Sequence, residues 1–484
     1  MHQAVPPPQR GATYSGYHIR RAPDQDTTLT HVGPGTPMGE LMRRYWQPVA
    51  RSADLGKRPL RLTILGEDLV LFRDGSGRLG LMHRHCTHRG AGLELGRIVD
   101  RGIQCSLHGW WFDIDGTVLD TPAEPKHSPL IKTTTQGAYP VQETAGLIFA
   151  YLGPPEHQPA FPNLDAFHLP GTELVSYSLH YPCNWLQVHE NLMDPLHAVF
   201  LHTRMGSTQI TDAWGEMPIT EYGEEGDRMY YLTSRRFGDN VWVRFNEVSV
   251  PNFGQVAGFW QDGAQELLFQ RIAATRWTVP HDDTSCTIFG VRHFSDDVEG
   301  PTGLGDRNRV GRDSLDVYGQ SHGGRTLEQM QDDPGDWEAI VSMGSVAVQS
   351  AEHRGTSDVG VVRLRRQLRR YADELQAGTA PRPHRKAAAD GIVPTWTSNT
   401  VLRIPPRSDY PDDELLRQVG RAVRDAVLAA DELAGQARID TIHARLRAAA
   451  HELSAPRSLA QAKTRKAEPS RVPARVVPPQ PSPR

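Results

Sequence analysis

The sequence predicts an α+β protein in three parts: a small all-β domain, an antiparallel sheet crossed by helices, and a helical C-terminal extension. Short apolar runs separated by turn residues fill residues 58–155, which is typical of a β-sandwich or barrel. Alternating runs bracketed by helical periodicity occupy 156–370 and predict a helix lying across a curved antiparallel sheet. The Ala-, Leu- and Arg-rich stretch 412–453 has helical spacing.

Changes in residue composition and in hydrophobic pattern along the chain divide it into five segments. These are a lead-in with a short helix (1–44), the all-β domain (45–155), the α+β domain (156–372), a linker with a helical extension (373–454) and a basic, Pro-rich tail (455–484). Seven Lys or Arg and six Pro accompany a single Glu from residue 457 onward. This composition predicts a disordered tail, because it cannot bury enough apolar surface to fold.

Composition excludes several classes of protein. The 484 residues carry 53 basic and 57 acidic side chains, so the overall charge favours neither a nucleic-acid nor a membrane partner. The chain has no apolar run long enough to span a bilayer, and its N-terminus lacks the apolar core of a secretion signal. Four cysteines are too few for a disulfide framework. We therefore expect a cytoplasmic protein whose clustered cysteines bind metal.

The first chemical motif pairs cysteine with histidine twice. Cys86 and His88 are followed by Cys105 and His108 in the pattern C-x-H-x16-C-x2-H. Each pair supplies one sulfur and one nitrogen, so two loops can close on one compact metal site. A structural Cys2His2 zinc site uses the same ligands and is the alternative. Zinc fingers, however, pair Cys with Cys and His with His, which this sequence does not do.

The second motif is Asn191-x2-Asp194-x2-His197-x4-His202. At 100° per residue the first three side chains share one helical face, whereas His202 lies about 140° away from His197. Both imidazoles can meet only if the helix ends or distorts, and Pro195 favours this because it disfavours α geometry at the preceding residue. The alternative is a pair of buried histidines in an amphipathic helix.

Together the two motifs resemble those of the Rieske non-heme iron aromatic ring-hydroxylating oxygenases, in the catalytic α-subunit of the phthalate-dioxygenase-like branch, over about residues 30–372. The resemblance implies an all-β Rieske [2Fe–2S] domain followed by a helix-grip-like catalytic domain. It assigns the cluster to two thiolates and two imidazoles: Cys86, Cys105, His88 and His108. It assigns a mononuclear Fe(II) to His197, His202 and one carboxylate.

The third iron ligand is expected within QDDPGDWEAIVSMG (331–344), which resembles the family's C-terminal catalytic segment. Counting back from Met343-Gly344 assigns Asp336. Three neighbouring carboxylates remain alternatives, because acidic residues also favour helix N-termini: Asp332, Asp333 and Glu338.

The resemblance also assigns a role to Asp194. It implies a carboxylate that hydrogen-bonds an iron-ligating histidine and, across a subunit boundary, a histidine of the cluster. The matching cluster residue is His108, and the implied assembly is a homotrimer or a multiple of it.

The implied activity is that of an oxygenase component that uses O2 and electrons from an NAD(P)H-dependent reductase or ferredoxin. The chain has no strand–GxGxxG–helix motif and no P-loop, so it lacks a recognisable dinucleotide site of its own. The resemblance implies a small aromatic substrate, with aromatic carboxylates or aryl ethers favoured, and dihydroxylation, hydroxylation or oxidative O-/N-dealkylation as the outcome. A Rieske electron-transfer protein without oxygenase activity, and more weakly a zinc-stabilised binding module, are the alternatives.

Five further residues have less specific roles. Cys183 and Cys286 have no partner at metal-binding spacing and are expected to be core thiols. Arg235, Arg236 and Arg244 lie on predicted strands. They could bind a substrate carboxylate, although ion pairs or packing on the sheet surface are the more usual role.

Overall fold

The computed structural model describes residues 25–260, 267–295, 306–379 and 391–455. Most of the predicted lead-in and nearly all of the basic tail lie outside these ranges. Within the described ranges, no helix combines the length and the apolar character needed to cross a membrane.

The N-terminal lobe, formed by strands β1–β11, consists of short antiparallel strands in three small sheets. Helices α1 (Thr27–Thr30) and α2 (Pro37–Arg43) precede it, and α3 (Leu130–Thr133) lies within it. The strands are β1 (Gln47–Arg51), β2 (Leu60–Ile64), β3 (Glu67–Arg73), β4 (Leu79–His83), β5 (Arg97–Ile98), β6 (Ile103–Gln104), β7 (Trp111–Phe112), β8 (Val118–Asp120), β9 (Ala138–Tyr139), β10 (Val141–Thr144) and β11 (Leu147–Ala150). Their orders are β1-β11-β10, β2-β3-β4-β9 and β5-β6-β7-β8.

The second lobe is a large antiparallel sheet with helices on it. Its strands are β12 (Glu173–Tyr181), β13 (Ile219–Glu225), β14 (Arg228–Phe237), β15 (Asn240–Ser249), β16 (Phe253–Ala257), β17 (Leu267–Gln270), β18 (Ile272–Asp282) and β19 (Ser285–Phe294). The main path runs β12-β19-β18-β16-β15-β14-β13. Its helices are α4 (Trp185–Glu190), α5 (His197–Val199), a π-helix (Phe200–Arg204), α6 (Leu327–Asp332), α7 (Asp336–Val341) and α8 (Val359–Gln376).

Short 3-10 turns connect these elements at Ser52–Asp54, Leu93–Leu95, Pro155–His157, Asp165–His168, Asn191–Met193, Asp212–Gly215, Arg307–Arg309, Gln349–Ala351 and Thr356–Asp358. Cys183 and Cys286 are both fully buried in the apolar core between the lobes, with no disulfide to either. Their placement agrees with the expectation of core thiols.

The C-terminal extension adds a strand to this sheet as well as two helices. Strand β20 (Ser398–Arg403) pairs with β15 and β17, and α9 (Asp412–Leu428) and α10 (Gly435–Ser454) follow it. The sequence analysis placed β20 in a linker, because its pairing partners lie far away in the chain and leave no local signal. The large sheet of the second lobe is therefore completed by a segment beyond residue 372.

The alternation of side chains along β15 gives the sheet two distinct faces. Val241, Val243 and Phe245 are fully buried against the apolar side of the extension helices, in one cluster with Val419 of α9. Arg244, between them, points to the opposite face. The extension thus covers one side of the sheet, and the other side is left to form a polar interior.

Candidate metal centres

Two loops of the N-terminal lobe share one backbone arrangement. In each loop the cysteine carbonyl accepts a hydrogen bond from a glycine four residues later, Gly90 at 2.8 Å from Cys86 and Gly109 at 3.0 Å from Cys105. Both glycines have φ near +75° (76° and 74°), a conformation that side chains disfavour. The two Cys/His pairs are therefore presented by equivalent turns, one after β4 and one after β6.

The two cysteine side chains lie inside and the two imidazoles lie nearer the surface. Cys86 and Cys105 are each 3% exposed, whereas His88 and His108 are half-buried with ring centroids 4.6 Å apart. The indole of Trp110 stacks under His88 at 4.7 Å. Burial, with a contribution from the Cys105 thiol, raises the pKa of Cys86 to about 11, so the thiol needs a bound cation to ionise.

The spread of these donors distinguishes a cluster from a single ion. Among the described residues, the only group that brings three donor atoms within 4.8 Å of one another is in the second lobe. Ligand atoms of one tetrahedral zinc ion lie about 3.5 Å apart, so the four residues do not match that geometry. Two buried thiols on one side and two imidazoles on the other fit a two-iron cluster.

The backbone of the second motif departs from α geometry twice, as its sequence predicts. Helix α4 tightens into the 3-10 turn at 191–193 and ends at Asp194, whose φ of −113° and ψ of 84° are not helical. The chain re-enters a helix at His197 and then widens into the π-helix at 200–204. Because π geometry bonds residues five apart, it brings His202 towards His197.

His197, His202 and Asp336 converge in the second lobe. The Nε2 atom of His197 lies 3.5 Å from Asp336 Oδ1, and Nε2 of His202 lies 3.4 Å from Oδ2. His202 and Asp336 are 2% and 7% exposed. Two imidazoles and one carboxylate, whose donor atoms all lie within 4.8 Å of one another, form the donor set of a non-heme Fe(II) site.

The charge of Asp336 is fixed by its neighbours. Burial by itself would raise the pKa of this carboxyl, but His202, His197 and a hydrogen bond from Gln320 outweigh burial and hold the pKa well below its usual range. In return, Asp336 and Gln209 raise the pKa of His202 against the effect of burial. Asp336 is therefore ionised at every physiological pH and available to a cation.

Three amide side chains, to which the sequence analysis gave no role, orient these groups. Asn191 Nδ2 and Gln320 Nε2 donate to the two oxygens of Asp336, and the Oε1 atom of Gln209 lies 2.8 Å from Nδ1 of His202. Such outer contacts fix the ring orientation and the basicity of a ligand. Only Asn191 had a sequence signal, since it belongs to the helical motif; the two glutamines lie in irregular segments.

The competing carboxylates are engaged elsewhere. Asp333 accepts from Ser207 and from Gln209, Glu338 pairs with Arg325 at the start of α7, and Asp332 is exposed. The geometry thus brings Asp336, and none of its three neighbours, to the two histidines.

Asp194 lies beside His197 but contacts it mainly through its backbone. The Nδ1 atom of His197 donates to the main-chain carbonyl of Asp194, whereas the nearest carboxylate oxygen is 3.9 Å away. The other oxygen accepts from the backbone N–H groups of Leu196 and His197. The carboxylate is one-third exposed, which leaves it accessible to a group from outside the chain.

A cavity of about 100 Å³ adjoins the triad and is unusually basic. Arg235, Arg244, Arg276 and Arg292 all line it, and each is less than 9% exposed. Burial lowers the pKa of Arg235 to about 9 and that of Arg244 to about 10, so both remain cationic at neutral pH. The neighbouring Arg236 instead faces the extension, where it pairs with Asp412.

Two of the four cavity arginines bind neutral acceptors. Arg235 donates to the carbonyl of Glu216 and the hydroxyl of Thr233, and Arg244 donates to the carbonyls of Ala257 and Gly258. Among the described residues, no carboxylate oxygen lies within 4.0 Å of Arg235, Arg244 or Arg276. The cavity therefore holds positive charge that protein carboxylates do not neutralise in direct ion pairs.

Comparison with known proteins gives relatives over nearly the whole chain. Residues 45–140 match the model of the Rieske [2Fe-2S] domain. The oxygenase subunit of the tert-butanol monooxygenase / tert-amyl alcohol desaturase of Aquincola tertiaricarbonis is 42% identical, covering 88% of this chain and 93% of that one. The α-subunit of phenoxybenzoate dioxygenase of Ectopseudomonas oleovorans is 34% identical over 80% and 95%.

A solved structure shares the fold. Dicamba monooxygenase bound to dicamba superposes with a TM-score of 0.53 at 21% identity, over 69% of this chain and 98% of that one. That alignment leaves almost a third of this chain unmatched.

Proposed function

The chain belongs to the α-subunits of the Rieske non-heme iron aromatic oxygenases. We propose that it uses one metal site to supply electrons, a second to activate O2, and the basic cavity to bind the substrate. The protein is an oxidoreductase with a [2Fe–2S] cluster and a mononuclear iron. A pure electron carrier is not supported, since relatives aligned over more than nine-tenths of their length are oxygenase subunits. When bound, the cluster supplies single electrons and the iron activates O2.

The convergence of three donors on one point carries this proposal. His197, His202 and Asp336 hold the iron, and Cys86, His88, Cys105 and His108 hold the cluster. Asn191, Gln209 and Gln320 keep the donors in one orientation, so that little reorganisation is needed on metal binding. The buried walls of the cavity exclude bulk water, which protects the reaction from side reactions.

We place the substrate in the basic cavity, with a carboxylate directed at its arginines. The observation behind this choice is buried positive charge without a carboxylate partner, at Arg235, Arg244 and Arg276. A buried charge is costly unless it is paired, and a substrate carboxylate supplies the missing partner. An aromatic ring would then lie between these arginines and the iron site, in agreement with the aromatic carboxylates that the sequence analysis favours.

A small tertiary alcohol is the second candidate. The cavity measures only about 100 Å³, whereas ligand pockets usually measure about 300–1,000 Å³. The relative that is 42% identical is named for tert-butanol and tert-amyl alcohol. A neutral alcohol would not need the arginines, so substitution of one of them separates the two candidates.

The deciding experiment is a single turnover under 18O2. Iron-loaded protein is reduced chemically, freed of reductant and exposed to 18O2 with benzoate, 3-phenoxybenzoate or tert-butanol, and mass spectrometry counts the labelled oxygens in each product. Two labelled atoms identify dihydroxylation; one, or the loss of an alkyl group, identifies monooxygenation or dealkylation. Product from a benzoate supports the carboxylate assignment, and product from tert-butanol alone overturns it.

Arg276→Met tests the role of the cavity directly. We expect the KM for a benzoate to rise about tenfold or more, because a charge-assisted contact is lost, while oxidation of tert-butanol is unaffected. Arg236→Met is the matched control, since this side chain lies outside the cavity and pairs with Asp412. Equal effects of both variants on the benzoate reaction would contradict the assignment.

We also propose a cytoplasmic homotrimer, or a multiple of it, that receives electrons from an NAD(P)H-dependent reductase or ferredoxin. Leu107, the residue before His108, is 57% exposed. An exposed apolar side chain next to the half-buried His108 is suited to contact with another protein surface. The accessible carboxylate of Asp194 is the point on a second copy where we expect His108 to dock.

A further inference from the structure

A buried ion pair joins the end of helix α4 to helix α8. Arg365, on α8, is 9% exposed. Its Nε and Nη2 atoms donate to the two oxygens of Glu190, the last residue of α4, with 2.7 Å for the Nη2 contact. Its Nη1 and Nη2 atoms also donate to the two oxygens of Glu352, at 2.5 and 2.8 Å. Because two-point contacts of this kind fix orientation, one guanidinium fixes the end of α4 on α8.

A second contact between α8 and the same stretch of chain lies five residues earlier on α8. A Cβ atom at Gly360 would lie 2.1 Å from the backbone oxygen of Met193 and 2.5 Å from the ring of Tyr222. Only a glycine permits this approach, because a side chain would have to displace the backbone of Met193. The chain from Glu190 to Met193 is therefore held against α8 at both of its ends.

The segment held in this way carries two groups that contact the mononuclear iron site. Asn191 donates to Asp336 at 3.2 Å, and the main-chain carbonyl of Asp194 accepts from Nδ1 of His197. The backbone N–H of Asp194 donates in turn to the carbonyl of Asn191. A shift of the backbone at 190–194 would therefore be transmitted to two of the three proposed iron ligands.

The side chain of Asp194 depends on the same backbone. Its carboxylate is one-third exposed, and it accepts from the backbone N–H groups of Leu196 and His197. Asp194, Glu190 and Arg365 also line one cavity of about 330 Å³, which places the carboxylate beside the ion pair. The position of this carboxylate thus follows from the path of the chain that α8 holds.

We propose that Gly360 and Arg365 are positioning residues for the oxygenase reaction. They hold residues 190–194 so that the carbonyl of Asp194 orients His197 and the carboxylate of Asp194 is presented to a second copy of the chain. The proposal rests on the proposed function, in which Asp194 connects the two metal sites. Both residues act through the 190–194 segment and not on a metal.

Gly360→Ala tests the close approach, because the added methyl group must displace the backbone of Met193. We expect Fe(II) binding at the mononuclear site to weaken about tenfold or more, as when an outer partner of a metal ligand is lost. In iron-saturated protein we expect the reduced cluster to be reoxidised by O2 about tenfold or more slowly, since small misplacements are costly. This single turnover uses whichever of benzoate, 3-phenoxybenzoate and tert-butanol gives product.

Gly355→Ala is the matched control. Gly355 lies on the exposed loop before α8, and the nearest atom to an added Cβ is 3.8 Å away, so the substitution displaces nothing. We expect wild-type iron affinity and a wild-type rate of cluster reoxidation in this variant.

Arg365→Lys tests the ion pair and serves as the second variant if Gly360→Ala fails to fold, as judged by melting temperature and the cluster's visible spectrum. Lysine keeps a cation beside the two buried carboxylates but loses the two-point contacts. We expect the same losses of iron affinity and transfer rate. Arg366→Lys is the control, since Arg366 is exposed and pairs with Glu224 at 3.1 Å.

Asp194→Asn separates this proposal from the proposed function. It keeps the main-chain carbonyl, so we expect unchanged iron affinity and slower cluster reoxidation. A wild-type rate in Asp194→Asn would overturn the role of the carboxylate, whereas weaker iron binding in Gly360→Ala would still support positioning through the carbonyl.

The two measured quantities decide the proposal. Loss of iron affinity alone, of transfer alone, or of both supports it, and shows whether the carbonyl or the carboxylate of Asp194 is displaced. Wild-type iron affinity and a wild-type rate in Gly360→Ala and in Arg365→Lys overturn it, even if both variants melt at lower temperature, because a merely structural contact changes stability alone.

Discussion

The Nδ1 atom of His202 lies 2.8 Å from the side-chain oxygen of Gln209. Because an amide oxygen can only accept, the imidazole carries a proton on Nδ1, and Nε2, on the Asp336 side of the ring, is the nitrogen available to a metal ion. The amide nitrogen of Gln209 donates in turn to Asp333 and to the carbonyl of Pro334, and these two hydrogen bonds fix the glutamine side chain. A surface carboxylate thus orients a proposed iron ligand through one glutamine.

We expect Gln209→Ala to weaken iron binding at the mononuclear site by about 10- to 100-fold, as is typical when an outer partner of a metal ligand is lost. The measurement is Fe(II) titration followed by iron analysis, with the visible spectrum of the cluster as an internal reference. Gln436→Ala, on the exposed side of α10, is the control. Unchanged iron affinity in Gln209→Ala would show that the orientation of His202 is fixed by packing alone.

Substitution of carboxylates in the 331–344 segment distinguishes the candidate third ligands. Asp336→Ala should abolish product formation and mononuclear iron while the cluster spectrum survives, because the triad loses its only carboxylate. Asp332→Ala removes an exposed acid from the same segment and should keep both iron and activity. Retention of stoichiometric mononuclear iron in Asp336→Ala would contradict the assignment.

Electron transfer across a subunit boundary can be tested by mixing two inactive chains. One chain carries His108→Ala, which impairs the cluster, and the other carries Asp336→Ala, which removes the iron. If Asp194 of one copy meets His108 of another, co-assembled chains regain activity, because an intact cluster faces an intact iron site in some pairs.

The control is a chain that carries both substitutions, mixed with itself. Recovery in the mixture and not in this control supports transfer between copies. Activity that stays absent in mixtures shown by mass spectrometry to contain both chains would favour transfer within one chain.

Buried neutral histidines make stability depend on pH. Burial, with the nearby cations Arg271 and Arg292, lowers the pKa of His293 to about 3, whereas an unfolded histidine titrates near 6.5. As pH falls below 6.5, the unfolded chain gains a proton that the folded chain excludes. The free energy of unfolding therefore falls, by about 1 kcal/mol for this residue at pH 5.5.

We expect His293→Gln to reduce the difference in melting temperature between pH 7.5 and pH 5.5. The glutamine can keep the contact with Thr275 that His293 makes at 3.0 Å, and it has no titrating group. His451→Gln, on the exposed face of α10, is the control. An unaltered pH difference in His293→Gln would rule out His293 as a contributor.

The donor types proposed for both metal sites can be predicted from the sequence alone, because donor residues at short spacing are local information. The mirrored Cys/His pairs and the motif from Asn191 to His202 each lie within a few turns of chain. Pro195 also predicted the break in the helix, which the structure confirms. The sequence shows which types of donor are present, but it does not show which distant residues contact them.

Which distant groups meet depends on packing and becomes visible only in the folded chain. The sequence assigned Asp336 but left Asp332, Asp333 and Glu338 as alternatives, because the choice depends on which side chain is directed into the buried interior at the start of α7. Gln209 and Gln320 became visible only through their contacts with His202 and Asp336.

The same reason applies to the arginines and to the extension. Arg235 and Arg236 are neighbours in sequence, yet the alternation of a strand sends one into the cavity and the other to Asp412. Strand β20 pairs with β15 across a long stretch of chain. Burial and pairing between distant segments depend on packing, and no local pattern of residues encodes them.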